Sequence, residues 1–129
     1  MDIEVLASAA IDDGMRIHRD LGPGLLESVY EVALTAKLAR RGFHVERQIP
    51  IDFSYDVIDY KGGFRADIVV EHALAIEVKS LAKLTDAHAK QLLTYMRLGD
   101  FRLGLAMNFG GELFKGEFRR VANNYQRSP

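Results

Sequence analysis

The segment "RADIVVEHALAIEVKS" (residues 65–80) is the most informative part of the sequence, because two short apolar runs in it flank a polar turn. Apolar runs of this length, bounded by a turn, predict two strands at about 64–70 and 74–80. A turn at residues 71–73 joins them into an antiparallel hairpin. On one face of this hairpin the assumed register forms three apolar pairs: Val70 with Leu74, Ile68 with Ile76, and Ala66 with Val78.

The opposite face of the hairpin carries the charged residues Asp67, Glu77 and Lys79. Glu77 and Lys79 share this face because successive side chains alternate along a strand. The same register places Asp67 opposite Glu77, with their Cβ atoms roughly 4.5–5.5 Å apart, and Arg65 opposite Lys79. A shift of the register by two positions would keep the faces and change the partners.

Two facing carboxylates predict a cation between them. Left alone, the charges of Asp67 and Glu77 repel each other and raise one of the two pKa values. A divalent cation removes that repulsion, and carboxylate oxygens are ligands that suit Mg²⁺ and Mn²⁺. Lys79 is then placed to stabilise a developing anion or to help activate a water, which suits hydrolysis of a phosphodiester.

A second interpretation of the same charges stays open, namely a solvated hairpin face with a Glu/Lys pair two residues apart. The pattern D…ExK occurs by chance in many proteins, so the spacing alone favours this simpler interpretation. Two features weaken it. The residues around the three charges are more apolar than an exposed face requires, and the apolar run at 103–109 predicts that the hairpin lies centrally in a sheet.

The composition is that of an ordinary globular protein. The 129 residues are 48% hydrophobic and 27% charged, which suits one domain with its own core. The chain has no cysteine, which excludes disulfides and thiolate zinc sites and favours the reducing cytoplasm. No apolar run approaches the roughly 20 residues that span a bilayer, so we expect no membrane partner. The net charge of -1 gives no general attraction to nucleic acid.

Hydrophobic spacing predicts the rest of an α/β fold. Pro50 removes one ladder donor from the long strand before the hairpin, so that strand is expected at a sheet edge or at a bulge. The strand–helix–strand connection after the hairpin suits parallel pairing, so we expect a mixed β-sheet flanked by helices. The elements predicted besides the hairpin are helices within 3–21, 25–41 and 84–100, and strands at 43–55, 103–109 and 117–121.

Two helices carry further polar groups of interest. One face of the second helix carries Glu27, Tyr30 and Glu31. A simpler explanation also fits, because the helix dipole favours a carboxylate in the first turn and core packing favours a tyrosine. On the third helix, Gln91 shares a face with His88. Gln91 is ordinarily a polar flank residue, and His88 is either a base or an exposed histidine without a function.

The stretch "GLLESVY" (residues 24–30) resembles the motif that names the GxxExxY protein family, with Gly24, Glu27 and Tyr30 at the motif positions. The resemblance continues in order through "HRDLGPGLLESVYE", "RADIVV", "IEVKS", "HAKQLLTYMRL" and "GLAMNFG". That family is similar to a compact branch of the PD-(D/E)XK nuclease superfamily. The resemblance implies a single domain over residues 1–129, with a restriction-endonuclease-like αβββαβ core and an extra N-terminal helix.

The resemblance also implies a catalytic site with Mg²⁺ or Mn²⁺ as its cofactor. Ala66 stands where the superfamily's motif has proline, a departure that removes no ligand. The roles implied are Asp67 as the first metal ligand, Glu77 as the second, Lys79 as the catalytic lysine, Glu27 as a further metal ligand or water-positioning group, and Gln91 as the polar residue on the helix after the lysine strand.

Two functions are therefore expected. The first is a metal-dependent nuclease acting on DNA or RNA, working as a homodimer or with a partner that supplies substrate recognition. The second is a non-catalytic module that binds nucleic acid or protein, which the net charge of -1 and the small size support. Candidates for phosphate contacts, provided that they cluster near the site, are Arg16, Arg19, Lys83, Lys90 and Arg97.

Overall fold

Two helices precede the sheet in the computed structural model, which describes residues 2–126. They are α1 (Ile3–Leu21) and α2 (Glu27–Arg40), within two residues of the predicted bounds. Gly22 follows α1 with a left-handed φ of 75°, a conformation that a residue without Cβ adopts at no steric cost. No helix among the described residues is both long and apolar enough to cross a membrane.

A five-stranded mixed sheet forms the centre of the fold, with one helix between its third and fourth strands. In chain order these elements are β1 (Val45–Tyr55), β2 (Ile58–Val70), β3 (Leu74–Lys79), α3 (Asp86–Gly99), β4 (Leu103–Asn108) and β5 (Phe118–Ala122). The strands lie side by side in the same order, with β3 and β4 parallel and all other neighbours antiparallel. The predicted mixed sheet is confirmed, and β1 lies at its edge as Pro50 indicates.

The helices cover both faces of the sheet. α1 and α2 pack on one face, where they meet Ile76 and Val78 of β3. α3 packs on the other face through Leu92 and Met96. Gly104 of β4 permits this approach, because a Cβ at that position would lie 2.6 Å from the sulfur of Met96. Burial on both faces explains why β3 and β4 are so apolar in sequence.

The register between β2 and β3 confirms the predicted turn, because the ladder begins at Val70 and Leu74. It ends only two residues later, at Ile68 and Ile76, and the strands separate beyond that pair. The predicted continuation of the ladder beyond this pair is wrong. Three predicted pairs are absent from it: Ala66 with Val78, Asp67 with Glu77, and Arg65 with Lys79.

Ala66 also lies on the face opposite to the predicted one. It packs with Ile49 in the core under α3, whereas Ile68 packs in the core under α1 and α2. Residues two apart on a regular strand share a face, so β2 rotates at Asp67. Gln48 of β1 lies between the residues that pair with Ala66 and Ile68, and its left-handed φ of 53° marks the same irregularity in β1.

The strand β2 is longer than the sequence indicates. The sequence predicts the first hairpin strand only from about residue 64. Instead, Asp56 and Val57 alone form the turn, and β2 begins at Ile58. Asp56 has a φ of 55°, which aspartate tolerates better than most residues, and a tight turn of this kind lets pairing start at once.

Candidate metal and catalytic site

The candidate site begins in the gap where β2 and β3 separate. Asp67 and Glu77 flank this gap, and both are partly buried. The Asp67 Oδ2 accepts a 2.8 Å hydrogen bond from the N–H of Val78, where a regular ladder would offer a backbone carbonyl. The sheet itself therefore fixes the carboxylate of Asp67, and the gap holds it beside Glu77.

Burial raises the pKa values of both carboxylates. It raises the pKa of Glu77 to about 8, with a further contribution from the charge of Asp67 and an opposing one from Lys79. Burial also raises the pKa of Asp67, opposed by the hydrogen bond from Val78. Within residues 2–126, neither carboxylate has a lysine or arginine nitrogen within 4.0 Å. The pair thus lacks a direct protein counterion, although the Lys79 charge acts on both.

A buried carboxylate on α2 holds the neighbouring part of β1. Glu31 is 5% exposed, and its Oε2 accepts hydrogen bonds of 3.0 and 2.6 Å from the guanidinium of Arg47. Its Oε1 accepts a 2.7 Å hydrogen bond from the Gln48 Nε2, and the same amide nitrogen lies 3.4 Å from the Asp67 Oδ1. Glu31 therefore positions Gln48, and Gln48 reaches Asp67.

Sequence reasoning missed these supporting residues. The shared helix face of Glu27 and Glu31 was a usable signal for Glu31, because the two are one turn apart. Arg47 and Gln48 gave no signal, since their approach to the site depends on the irregularity in β1, which breaks the period of two.

Glu27 lies near the lysine end of β3. It is exposed at the first residue of α2, and its Oε2 accepts a 3.2 Å hydrogen bond from the N–H of Ser80, the residue after Lys79. The hydroxyl of Ser80 also donates a 2.6 Å hydrogen bond to the carbonyl of Leu25. These two bonds dock the start of α2 onto the end of β3.

Tyr30 fixes the loop that carries Glu27. Its fully buried ring stacks on Phe109 with the centroids 4.6 Å apart. Its hydroxyl donates a 2.7 Å hydrogen bond to the carbonyl of Gly22 and accepts one of 3.1 Å from the N–H of Leu25. Gly24 between them has a φ of 91°, which favours glycine. The tyrosine of the sequence motif thus acts on loop geometry.

The structure does not gather the three predicted ligands into one compact group. The carboxylates of Glu27, Asp67 and Glu77 do not place three ligand atoms within 4.8 Å of one another. Among the acidic and histidine side chains of residues 2–126, a group that meets this distance lies elsewhere on the sheet: His44, Glu46 and His72.

The polar residues of α3 make local contacts. Gln91 is exposed, and its Nε2 donates a 2.8 Å hydrogen bond to the hydroxyl of Tyr95, rather than to the carboxylates in the gap. Tyr95 in turn stacks on Phe64 of β2 with the centroids 4.5 Å apart. The Nδ1 of His88 accepts a 3.1 Å hydrogen bond from the N–H of Thr85 and so caps α3. Capping accounts for His88 without a role as a base.

The five basic candidates for phosphate contacts do not share one surface. Arg16 and Arg19 lie on α1, which packs on one face of the sheet. Lys90 and Arg97 lie on α3, which packs on the other face. Lys83 lies in the connection between β3 and α3. These five side chains therefore do not form the cluster near the site that shared phosphate contacts require.

Comparison with known proteins identifies the superfamily of the chain. The family model for the PD-(D/E)XK nuclease superfamily matches residues 4–121, nearly the whole chain. The matched span contains every residue assigned a catalytic role from the sequence. It also contains the eight described helices and strands, apart from the first residue of α1 and the last residue of β5. No curated protein and no solved structure is significantly similar to the chain.

Proposed function

Because the chain belongs to the PD-(D/E)XK nuclease superfamily, we propose that it is a metal-dependent nuclease that hydrolyses phosphodiester bonds of DNA or RNA. The observation that carries this proposal is the pair of partly buried carboxylates, Asp67 and Glu77, in the gap between β2 and β3. Burial raises the pKa of each, and neither has a cationic side chain within ion-pair distance among residues 2–126. A buried acidic pair of this kind is stabilised by a cation.

The donor set fits Mg²⁺ or Mn²⁺. Asp67 and Glu77 offer carboxylate oxygens only, the ligands that hard divalent cations prefer. The hydrogen bond from Val78 occupies the Oδ2 of Asp67, and the Oδ1, which lies 3.4 Å from the Gln48 amide nitrogen, would bind the ion. Such an ion, when bound, polarises the phosphodiester and makes a water more acidic. Glu27 would complete the ligand set or position a water after exchanging its hydrogen bond to Ser80.

Lys79 supplies the positive charge of the proposed reaction. The charge of its ammonium group lowers the pKa values of both carboxylates and so offsets part of the effect of burial. Among the described residues, the ammonium group forms no ion pair of 4.0 Å or less. It is therefore available to stabilise negative charge that develops on the phosphate. Gln91 is exposed on α3, and its amide would contact the substrate after leaving Tyr95.

The assignment to the GxxExxY family is part of the same proposal. Gly24 needs its left-handed φ, Tyr30 fixes the loop, and Glu27 reaches the end of β3. These three roles give a physical reason for the spacing of the motif. We further propose that residues 1–129 act as one domain of this family.

Cleavage assays with matched variants test the nuclease proposal. Untagged protein is incubated with single- and double-stranded DNA and RNA in Mg²⁺ or Mn²⁺. Lys79→Ala and Asp67→Asn should each lower the cleavage rate at least about 100-fold, in the range that removal of one such catalytic group costs. Lys37→Ala in the last turn of α2 is the matched control and should retain activity. Cleavage that persists unchanged in both site variants would contradict the proposal.

A binding module without turnover is the second candidate. Its support is the separation of Glu27 from the Asp67–Glu77 pair and the dispersal of the basic side chains over both faces of the fold. Such a module would bind nucleic acid or protein equally well with and without divalent cations, and would show no cleavage of any substrate. Binding that requires Mn²⁺ and fails in Glu77→Gln excludes this alternative.

A homodimer is also proposed, formed through the tip of the β1–β2 hairpin. Apolar side chains there are unusually exposed: Val57 is 98% exposed and Tyr55 68%. Light scattering during size exclusion should give the mass of two chains, and Val57→Asp should give the mass of one. A wild-type protein that stays monomeric at high concentration would contradict this proposal.

A further inference from the structure

A second group of metal-binding side chains lies at the end of the sheet that carries the β2–β3 turn. His44 directly precedes β1, Glu46 is on β1, and His72 is in the turn. The Oε1 of Glu46 lies 3.0 Å from the Nε2 of His44 and 3.4 Å from the Nδ1 of His72. One ligand atom from each of the three side chains lies within 4.8 Å of the others.

The backbone holds the two imidazoles together. The N–H of His44 donates a 2.8 Å hydrogen bond to the carboxylate of Glu71, and the N–H of Glu71 donates one of 2.8 Å to the carbonyl of His44. This reciprocal pair ties the residue before β1 to the turn. The rings of His44 and His72 then stack with their centroids 4.8 Å apart.

The turn itself has an unfavourable sequence for its shape. Glu71 and His72 have φ values of 52° and 54°, and turns with two such residues favour Asn-Gly. Left-handed conformations cost non-glycine residues about 1 kcal/mol or more each, and such strain concentrates at functional positions. A functional role of the imidazole would therefore explain why a histidine occupies this strained position in the turn.

We propose that His44, Glu46 and His72 form a second metal site, which binds Zn²⁺ or a chemically similar transition-metal ion. Two imidazole nitrogens and a carboxylate oxygen are a zinc ligand set that leaves one position for water. Tetrahedral ligands at about 2.0–2.1 Å from Zn²⁺ are roughly 3.3 Å apart, close to the two measured separations. Mg²⁺ prefers oxygen ligands, so it would not compete well here.

The proposed site would link the edge strand of the sheet to a neighbouring turn. It joins the start of β1, an edge strand, to the turn between β2 and β3. The three ligands are close together only in the folded chain, so Zn²⁺ would bind the folded state and not the unfolded one. Binding would therefore stabilise the folded protein by mass action. The ligands are separate from the residues of the proposed nuclease, so the two proposals stand or fall independently.

Calorimetric titration tests the second site. The parent protein is untagged and carries Asp67→Asn and Glu77→Gln, which removes the carboxylate pair as a competing site. The parent should bind one equivalent of Zn²⁺ and should not bind Mg²⁺ measurably. His44→Ala and His72→Ala should each weaken Zn²⁺ binding at least tenfold, whereas His88→Ala, whose imidazole caps α3, should match the parent.

Histidine resonances provide a second readout that does not depend on variant stability. Saturating Zn²⁺ should shift the imidazole signals of His44 and His72 and leave those of His18 and His88 unchanged, since His18 is hydrogen-bonded to Gly111. The proposal is overturned by a parent that binds no Zn²⁺, by affinity that survives both histidine variants, or by shifts confined to His18 and His88.

Discussion

The Oδ2 of Asp67 accepts a 2.8 Å hydrogen bond from the N–H of Val78, at the level where the β2–β3 ladder would otherwise continue. This single contact lets the two strands separate without leaving a buried backbone donor unpaired. It also fixes a carboxylate at the mouth of the gap that contains Glu77. The same residue therefore ends the ladder and is the first proposed metal ligand.

Two substitutions at Asp67 should separate its structural role from its charge. In Asp67→Asn the amide oxygen still accepts the hydrogen bond from Val78, so we expect stability in EDTA equal to that of wild type or higher, because repulsion with Glu77 is removed. Asp67→Ala leaves the buried N–H unpaired and should lower the free energy of unfolding by about 1–3 kcal/mol. Denaturant titration measures both. Equal destabilisation by the two substitutions would contradict this role.

The stability of the metal-free protein should fall as the pH rises from about 5 to 8. Burial and the charge of Asp67 raise the pKa of Glu77 from 4.5 to about 8, so the folded protein holds a proton there that the unfolded chain releases. A folded state that binds more protons loses stability with rising pH, here by at most about 1.4 kcal/mol per pH unit from this group.

Glu77→Gln provides the control for this pH dependence. The variant lacks the titrating group, so its stability in EDTA should vary less between pH 5 and 8 and should exceed that of wild type at pH 8. Urea titrations at several pH values measure the difference. The same dependence on pH in the two proteins would show that Glu77 does not titrate with a raised pKa.

Gln48 should affect metal affinity more than it affects stability. Gln48→Gly relieves a left-handed φ of 53°, worth about 1 kcal/mol, but loses the amide that bonds to Glu31 and approaches Asp67. We expect a net change in the free energy of unfolding within about 1 kcal/mol, and Mn²⁺ affinity about 10- to 100-fold lower. Gln48→Asn, with a shorter amide, should behave similarly. Unchanged Mn²⁺ affinity in both would show that Asp67 is positioned without Gln48.

Tyr30→Phe should loosen the loop before α2. The ring still packs on Phe109, but the carbonyl of Gly22 and the N–H of Leu25 lose their hydrogen-bond partner, at a cost of about 1–3 kcal/mol. Hydrogen exchange in residues 22–26 should accelerate. Tyr95→Phe is the matched control, because the hydroxyl of Tyr95 accepts its hydrogen bond from the exposed amide of Gln91. Equal exchange rates in wild type and Tyr30→Phe would contradict the role of the hydroxyl.

Much of the architecture could be predicted from the sequence because its signals are local. Hydrophobic spacing predicted the three described helices, and Pro50 predicted an edge strand or a bulge in β1, which has both. The polar turn gave the pairing of Val70 with Leu74, and the length of the connection after β3 gave the parallel pairing of β3 and β4.

The interior of the candidate site could not be predicted, because it depends on where regular structure ends. Ala66 was assigned to the wrong face, since the strand period of two fails at Asp67 beside a left-handed Gln48. The separation of β2 and β3 likewise depends on a side chain replacing a backbone acceptor. Gln48 joins the site through three-dimensional contacts that no spacing in the sequence indicates, whereas Glu31, which bonds to it, lies one helix turn from Glu27.

Titration with Mn²⁺ tests most directly whether the Asp67–Glu77 pair binds a divalent cation. Untagged, metal-free protein with His44→Ala, which disables the proposed second site, is titrated while electron paramagnetic resonance records free Mn²⁺. We predict one saturable site, weakened at least tenfold by adding either Asp67→Asn or Glu77→Gln. Absence of a saturable site, or equal Mn²⁺ affinity with and without these substitutions, would contradict the account.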